Sequence, residues 1–207
     1  MAERFAERSK MTLTDLFRAR FKGVLEVPAG FLNRLGFMPN TITLLGLVGN
    51  TIGAYFLAQG QMTLGGILIL LMGPVDALDG TMARLRGEPG DFGAFVDSVT
   101  DRYSELVIFG GLIYYYTVQG ELLPVILAYL AAAGSVLVSY TRARAQSLGH
   151  ETKVGVLTRF ERYLVLAPGL VFNLVVPALW ILAVLANLTA VQRIYDVRRQ
   201  ARQTGPR

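Results

Sequence analysis

The chain has 207 residues, 53% of them hydrophobic, with a mean hydropathy of +0.44. That is high for a soluble domain and ordinary for a polytopic membrane protein. The net charge is +5 and there is no cysteine, which excludes a disulfide framework and a thiolate metal site.

Seven Lys/Arg precede Asn40, so the N-terminal part is too charged, and the first apolar run too late, for a cleaved signal peptide. Segment 12–35 mixes Leu13, Leu16, Phe17, Phe21, Val24 and Leu25 with basic residues. This is the pattern of an amphipathic helix lying in the membrane interface, bent at Pro28; the bland alternative is a soluble arm. Apolar segments follow at 40–59, 62–85, 92–118, 122–146, 157–176 and 177–195, the last two separated by a turn near Asn173–Pro177. Each is close to the roughly 20 residues that cross the hydrocarbon. The predicted fold is therefore all-α, a polytopic membrane protein with six transmembrane helices and an N-terminal interfacial helix. It divides into a cytoplasmic segment 1–39, a membrane domain 40–197 and a polar tail 198–207, frayed from residue 200.

Charge predicts the orientation. The Lys/Arg residues gather before Asn40, around Arg84, Arg86 and Arg102, in the fourth-to-fifth connection (Arg142, Arg144, Lys153, Arg159, Arg162) and after Arg193. The other three connections hold none, and one of them carries only Glu121. The positive-inside rule then puts both termini in the cytoplasm of a multi-pass protein of the cell membrane. The positive balance reflects topology and anionic lipid, and no aromatic–basic motif points to nucleic acid.

The chemistry concentrates in V-D-A-L-D-G-T-M-A-R-L-R-G-E-P-G-D-F-G-A-F-V-D-S-V-T-D-R, residues 75–102. Asp76 and Asp79 are three apart on one helix, and Asp97 and Asp101 four apart on the next. Carboxylates beside a membrane core are costly unless neutralised, and hard divalent cations choose such oxygen ligands. Small residues keep step with the acids: Gly80 four after Asp76, Ala83 four after Asp79, Gly93 four before Asp97. They describe a tight groove with carboxylates on its floor and Arg84 at its rim. Such a groove suits a pyrophosphate bridged through metal to carboxylates. The competing reading is a set of salt bridges from these acids to Arg84, Arg86 and Arg102. Pro74 removes a backbone hydrogen bond just before Asp76 and is placed to bend that helix.

The spacing D-x-x-D-G-x-x-A-R-x(8)-G-x-x-x-D-x-x-x-D, met by Asp76, Asp79, Gly80, Ala83, Arg84, Gly93, Asp97 and Asp101, resembles the signature of the CDP-alcohol phosphotransferase family. The P-N-x-x-T start of the first span (Pro39, Asn40, Thr43) and the six-helix plan extend the resemblance over most of the chain. It implies displacement of CMP from a CDP-linked lipid by an alcohol, with a divalent metal, usually Mg2+ in two sites, Mn2+ being an alternative. It further implies that Asp76, Asp79, Asp97 and Asp101 ligate metal and that Asp101 is the general base. Asn40, Thr43, Gly80, Ala83, Arg84 and Gly93 would line the CDP-lipid site, and the family implies a homodimer.

The alcohol is read from arginines. Arg142, Arg159, Arg162 and Arg193 all fall near the cytoplasmic ends of the last three spans, and arginine forks match phosphate oxygens. The segments S-Y-T-R-A-R-A-Q and R-F-E-R look like those of phosphatidylinositol-phosphate and archaetidylinositol-phosphate synthases. That likeness implies CDP-diacylglycerol, or an ether-lipid analogue, as donor and inositol 1-phosphate as acceptor. Glycerol 3-phosphate, as in phosphatidylglycerophosphate synthase, is the alternative acceptor. A divalent-cation transporter is the alternative from another class, but the outer halves of the spans carry almost no acids. His150 is expected in solvent, Trp180 and Tyr114–Tyr116 at the interface or facing lipid, and Glu105 either tuning Asp101 or pairing with Arg102.

Overall fold

The computed structural model describes residues 13–87, 90–152 and 154–204. Among these there are seven helices and no strand: α1 (Leu13–Arg34), α2 (Pro39–Ala58), α3 (Met62–Arg86), α4 (Asp91–Val118), α5 (Leu122–Ser147), α6 (Arg159–Val171) and α7 (Val175–Thr204). The side chains of Leu13, Leu16, Phe17 and Phe21, which carry the interfacial reading of 12–35, lie outside the described residues, as do Lys153 and Arg207. α1 runs as one helix through Pro28 and packs on α3, with Ala29 buried against Ile42 and Met82.

The helices are punctuated by residues suited to the task. Pro39 opens α2, where its missing N–H is an orphan in any case. Gly87 closes α3 in the left-handed region at φ 70°. Gly60 and Gly120 make the tight α2–α3 and α4–α5 turns at φ 79° and 75°.

Six helices form a closed ring in which each touches two neighbours: α2 on α4, α4 on α5, α5 on α7, α7 on α6, α6 on α3 and α3 on α2. The α2–α3 crossing is close because glycine meets glycine; a Cβ on Gly65 would lie 2.8 Å from the Gly53 carbonyl oxygen. The core holds Leu57, Ile69, Leu112, Leu170, Leu179 and Leu182, each under 2% exposed. The outside is apolar as well: Leu44, Val48, Ile52 and Tyr55 make an exposed stripe along α2. A helix that is hydrophobic all round fits a lipid surround.

Among the described residues, α2, α3, α5 and α7 are long and apolar enough to cross a membrane. α4 has the length, but the part from Asp91 to Glu105 carries Asp91, Asp97, Asp101, Arg102 and Glu105. α6 departs furthest from expectation. In place of a span over 157–176 it has 13 residues, about 20 Å of helix against a hydrocarbon core of roughly 30 Å. Residues 151–152 and 154–158 are irregular, and the turn at Phe172–Asn173, with Asn173 at φ 57°, ends the helix early.

α7 departs the other way. It begins at Val175 with Pro177 tolerated in its first turn, and it stays helical to Thr204 where a frayed tail is expected from 200. Gln, Ala and Arg are good helix formers, and Gln200 is tied by its amide to the Glu151 carbonyl at 2.8 Å and to Asp196 at 3.0 Å. The aromatic reading also needs correction: Tyr114 and Trp180 are exposed, but Tyr116 is buried in the core. Adjacent helical residues point about 100° apart, and Tyr116 follows buried Leu112 by one turn. His150, expected in solvent, is half-buried.

Candidate active site

The expected carboxylates lie where the second half of α3 and the first half of α4 face α2 and α6. Asp79 is buried, accepts a hydrogen bond from Thr43 Oγ1 at 2.5 Å, and accepts another from the Gly80 N–H at 2.5 Å. Thr43 thus joins α2 to the floor of the groove. Asp76 lies against Gly46 of α2, where any side chain would collide with its carboxylate. Asp101 is 7% exposed. Asp97 stands close enough to Asp76, Asp79 and Asp101 for its charge to act on all three.

The groove residues fall together as their spacing suggests. Gly93 lies against Asn40, a Cβ there being 3.6 Å from Asn40 Oδ1, and Gly80 lies beside the Arg84 guanidinium at the same distance. Ala83 is half-buried; Arg84 is exposed and donates to Thr81 Oγ1 at 2.9 Å. Arg86 turns away to Asn33 Oδ1 at 2.7 Å and the Phe37 carbonyl at 2.5 Å, bracing the α1–α2 turn that leads to Asn40. Neither Arg84 nor Arg86 is therefore the partner of the acids. Arg102 lies 3.4 Å from Asp101 and donates to Ser139 Oγ at 3.0 Å.

The dominant cation is Arg159, at the first residue of α6. It donates to Asp76 at 2.8 Å and also pairs with Asp101. Its placement among the carboxylates separates it from the other arginines of the acceptor set. Arg162 is 4% exposed and donates to Glu105 Oε1 at 2.6 Å. Glu105 thus serves Arg162, not Arg102. Arg193 is 3% exposed and donates to the Val154 carbonyl at 3.0 Å and the Val138 carbonyl at 2.5 Å. Arg142 is exposed, and its charge and that of Arg162 both act on Arg193. Three of the four predicted arginines therefore share one field.

A cavity of about 50 Å³ lies inside the ring, with Asp76, Asp101, Arg159, Glu105, Arg162 and Ser135 among its walls. All six helices of the ring contribute to it. Ser135 Oγ, Glu105 Oε2 and Arg162 Nε are buried there without a protein partner, so the chamber has polar capacity to spare. Sequence reasoning missed the Glu105–Arg162 pair, for which no local signal exists. It also missed that Glu161 reaches back to the Thr158 N–H at 2.6 Å to start α6, although T-x-x-E is a readable capping pattern.

Divalent metal fits the donor set by chemistry. Four carboxylates press on one another, Arg159 and Arg102 offset only part of their charge, and all the donors are hard oxygens. Among the described residues, however, no three acidic or imidazole groups converge closely enough to hold a cation in this arrangement. Arg159 holds Asp76 and Asp101 in its place.

Comparison with known proteins gives the site its context. Residues 36–192 match the family model described as CDP-alcohol phosphatidyltransferase. The phosphatidylinositol phosphate synthase of Streptomyces avermitilis is 38% identical over 93% of this chain and 85% of its own length. The archaetidylinositol phosphate synthase of Pyrococcus horikoshii is 34% identical over 88% of this chain and 95% of its own. The crystal structure of Mycobacterium tuberculosis phosphatidylinositol phosphate synthase with CDP-DAG bound superposes with a TM-score of 0.78 at 30% identity, covering 84% of this chain and 93% of that one. The same enzyme in complex with manganese and citrate gives 0.78 at 31%, covering 84% and 88%. The chain belongs to the CDP-alcohol phosphatidyltransferase family and is a membrane transferase of phospholipid biosynthesis.

Proposed function

We propose that the chain transfers a phosphatidyl group from CDP-diacylglycerol, or an ether-lipid analogue, to inositol 1-phosphate, releasing CMP and forming phosphatidylinositol phosphate. The observation that carries the choice of a phosphorylated acceptor is the shared field of Arg142, Arg162 and Arg193, of which Arg162 lines the same cavity as Asp76 and Asp101. A neutral alcohol needs no such cluster, whereas a phosphate does. Relatives named for inositol phosphate products support the same choice.

Asn40, Thr43, Gly80, Ala83, Arg84 and Gly93 cradle the CDP moiety. The glycines admit its backbone-close approach, and Arg84 offers a charge-assisted contact to the pyrophosphate. Asp76, Asp79, Asp97 and Asp101 would hold divalent metal, Mg2+ in two sites or Mn2+, which would supply positive charge to offset that of the pyrophosphate and of departing CMP. Asp101 takes the proton from the attacking hydroxyl. Arg142, Arg162 and Arg193 hold the acceptor phosphate, with Arg159 able to join them once released from Asp76 and Asp101. The cavity at Ser135 and Glu105 adjoins Arg159 and Arg162.

In the same reading α4, and α6 together with the residues that flank its short helix, complete six crossings, residues 1–39 and 198–207 lie in the cytoplasm with the site facing them, and 40–197 is the transferase domain of a homodimer in the cell membrane. The test is an acceptor screen. Purified protein with CDP-diacylglycerol and Mg2+ should release CMP with inositol 1-phosphate and not with free inositol. Release with glycerol 3-phosphate alone would move the assignment to phosphatidylglycerophosphate synthesis. Metal flux in proteoliposomes without CMP release would move it to transport.

A further inference from the structure

α3 carries Pro74 in its middle, two residues before Asp76. Proline has no N–H, so the carbonyl four residues earlier, that of Leu70, receives no donor from its own helix. α6 supplies one. The Tyr163 hydroxyl donates to the Leu70 carbonyl oxygen at 2.5 Å, with the Ile69 carbonyl at 3.4 Å. Gly73 makes the room, since a Cβ there would come within 2.5 Å of Tyr163 Cζ. Three adjacent features thus agree: a proline that frees a carbonyl, a glycine that admits a ring, and a hydroxyl on that ring that satisfies the carbonyl.

Tyr163 also follows Arg159 by one helical turn, so the two side chains leave the same face of α6. One grips α3 at the proline and the other grips it at Asp76. Both line the cavity that Asp76 and Asp101 share. A helix is soft at a proline unless the freed carbonyl is held, and the part of α3 beyond Pro74 carries Asp76 and Asp79.

We propose that Tyr163 is a positioning residue for the carboxylate centre: its hydroxyl replaces the hydrogen bond that Pro74 removes, and so fixes the direction in which the second half of α3 presents Asp76 and Asp79. This deepens the transfer reading and rests on it for the role of those acids. Packing alone would be served by phenylalanine; the hydroxyl is what the freed carbonyl requires.

The experiment is a double-mutant cycle of Tyr163→Phe and Pro74→Ala in the full chain, because an alanine N–H at position 74 satisfies Leu70 from within the helix. The chain has no native cysteine, so Leu64→Cys and Leu85→Cys, both at exposed positions, accept spin labels that bracket the proline. Without metal, Tyr163→Phe should broaden or shift the label distance when Pro74 is present and leave it unchanged in the Pro74→Ala background. In unlabelled protein the same substitution should weaken Mn2+ binding by about fivefold with Pro74 present, and not at all once Pro74→Ala is in place. An unchanged distance with Pro74 present, or equal effects in both backgrounds, overturns the proposal. If the wild type neither binds Mn2+ nor releases CMP, the transfer reading falls, and the label distances alone then decide the place of Tyr163 in the bend. Failure of Pro74→Ala to fold leaves the Tyr163→Phe distance as the deciding measurement.

Discussion

Arg159 donates to Asp76 at 2.8 Å and its guanidinium also pairs with Asp101, so one cation from α6 joins carboxylates of α3 and α4. The guanidinium and a divalent ion would compete for the same oxygens. Charge-assisted hydrogen bonds are worth about 1.5–3 kcal/mol, so the competition is large enough to measure. Arg159→Gln is expected to bind Mn2+ at least about tenfold more tightly in the absence of substrate. It is also expected to melt earlier when metal-free, because the acids lose their counter-charge. Manganese EPR titration with a thermal melt checks both. Weaker Mn2+ binding in the variant would show that Arg159 supports the metal centre and does not stand in for it.

The acids themselves give the plainest loss. Asp76→Asn or Asp97→Asn removes a hard oxygen charge from a centre where four carboxylates act together. CMP release at saturating Mg2+ is expected to fall by more than about a hundredfold while the protein stays monodisperse in detergent. Substantial residual turnover at high Mg2+ would remove that residue from the ligand set.

Much of this centre was legible because helix geometry forces it into the sequence. Acids that share a floor must recur at three or four residues, and the small residues that let a ligand approach must keep step with them, as Gly80, Ala83 and Gly93 do. The ends of α2, α3 and α5 follow hydropathy to within a residue or two. The rest was not local. Arg159 meets Asp76 across a separation of 83 residues and Arg162 meets Glu105 across 57, and no pattern around either arginine names its partner. The shortness of α6 escaped because an apolar window averages over the turn at Asn173. The length of α7 escaped because polar residues that leave the membrane need not leave the helix.

Thr43 offers a test of the donor groove that spares the acids. Its hydroxyl donates to buried Asp79 at 2.5 Å from a different helix. Thr43→Val keeps the shape and removes the donor, whereas Thr43→Ser keeps the donor and removes a methyl. The valine variant is expected to raise the KM for CDP-diacylglycerol by about tenfold with a smaller effect on acceptor KM, and the serine variant to stay within about threefold of wild type. Equal losses in the two variants would assign Thr43 to packing.

The acceptor arginines divide by burial, and their variants should divide the same way. Arg193 is 3% exposed and its guanidinium holds two backbone carbonyls, at Val154 and Val138. Those bonds tie α7 to the second half of α5 and to the irregular segment before α6, so Arg193→Ala removes two hydrogen bonds that join these elements. Arg142 is exposed and contributes its charge from the rim. Both replacements are expected to raise the KM for inositol 1-phosphate by about ten- to a hundredfold, with the KM for CDP-diacylglycerol nearly unchanged. Only Arg193→Ala is expected to lower the melting temperature, by several degrees or more, since it loses two hydrogen bonds from a buried guanidinium, about 1.5–3 kcal/mol each. Saturation curves for each substrate, run beside thermal melts, separate the two effects. An unchanged acceptor KM in both variants would leave Arg193 a structural clasp and Arg142 a topology signal, and the phosphorylated acceptor would lose its physical support.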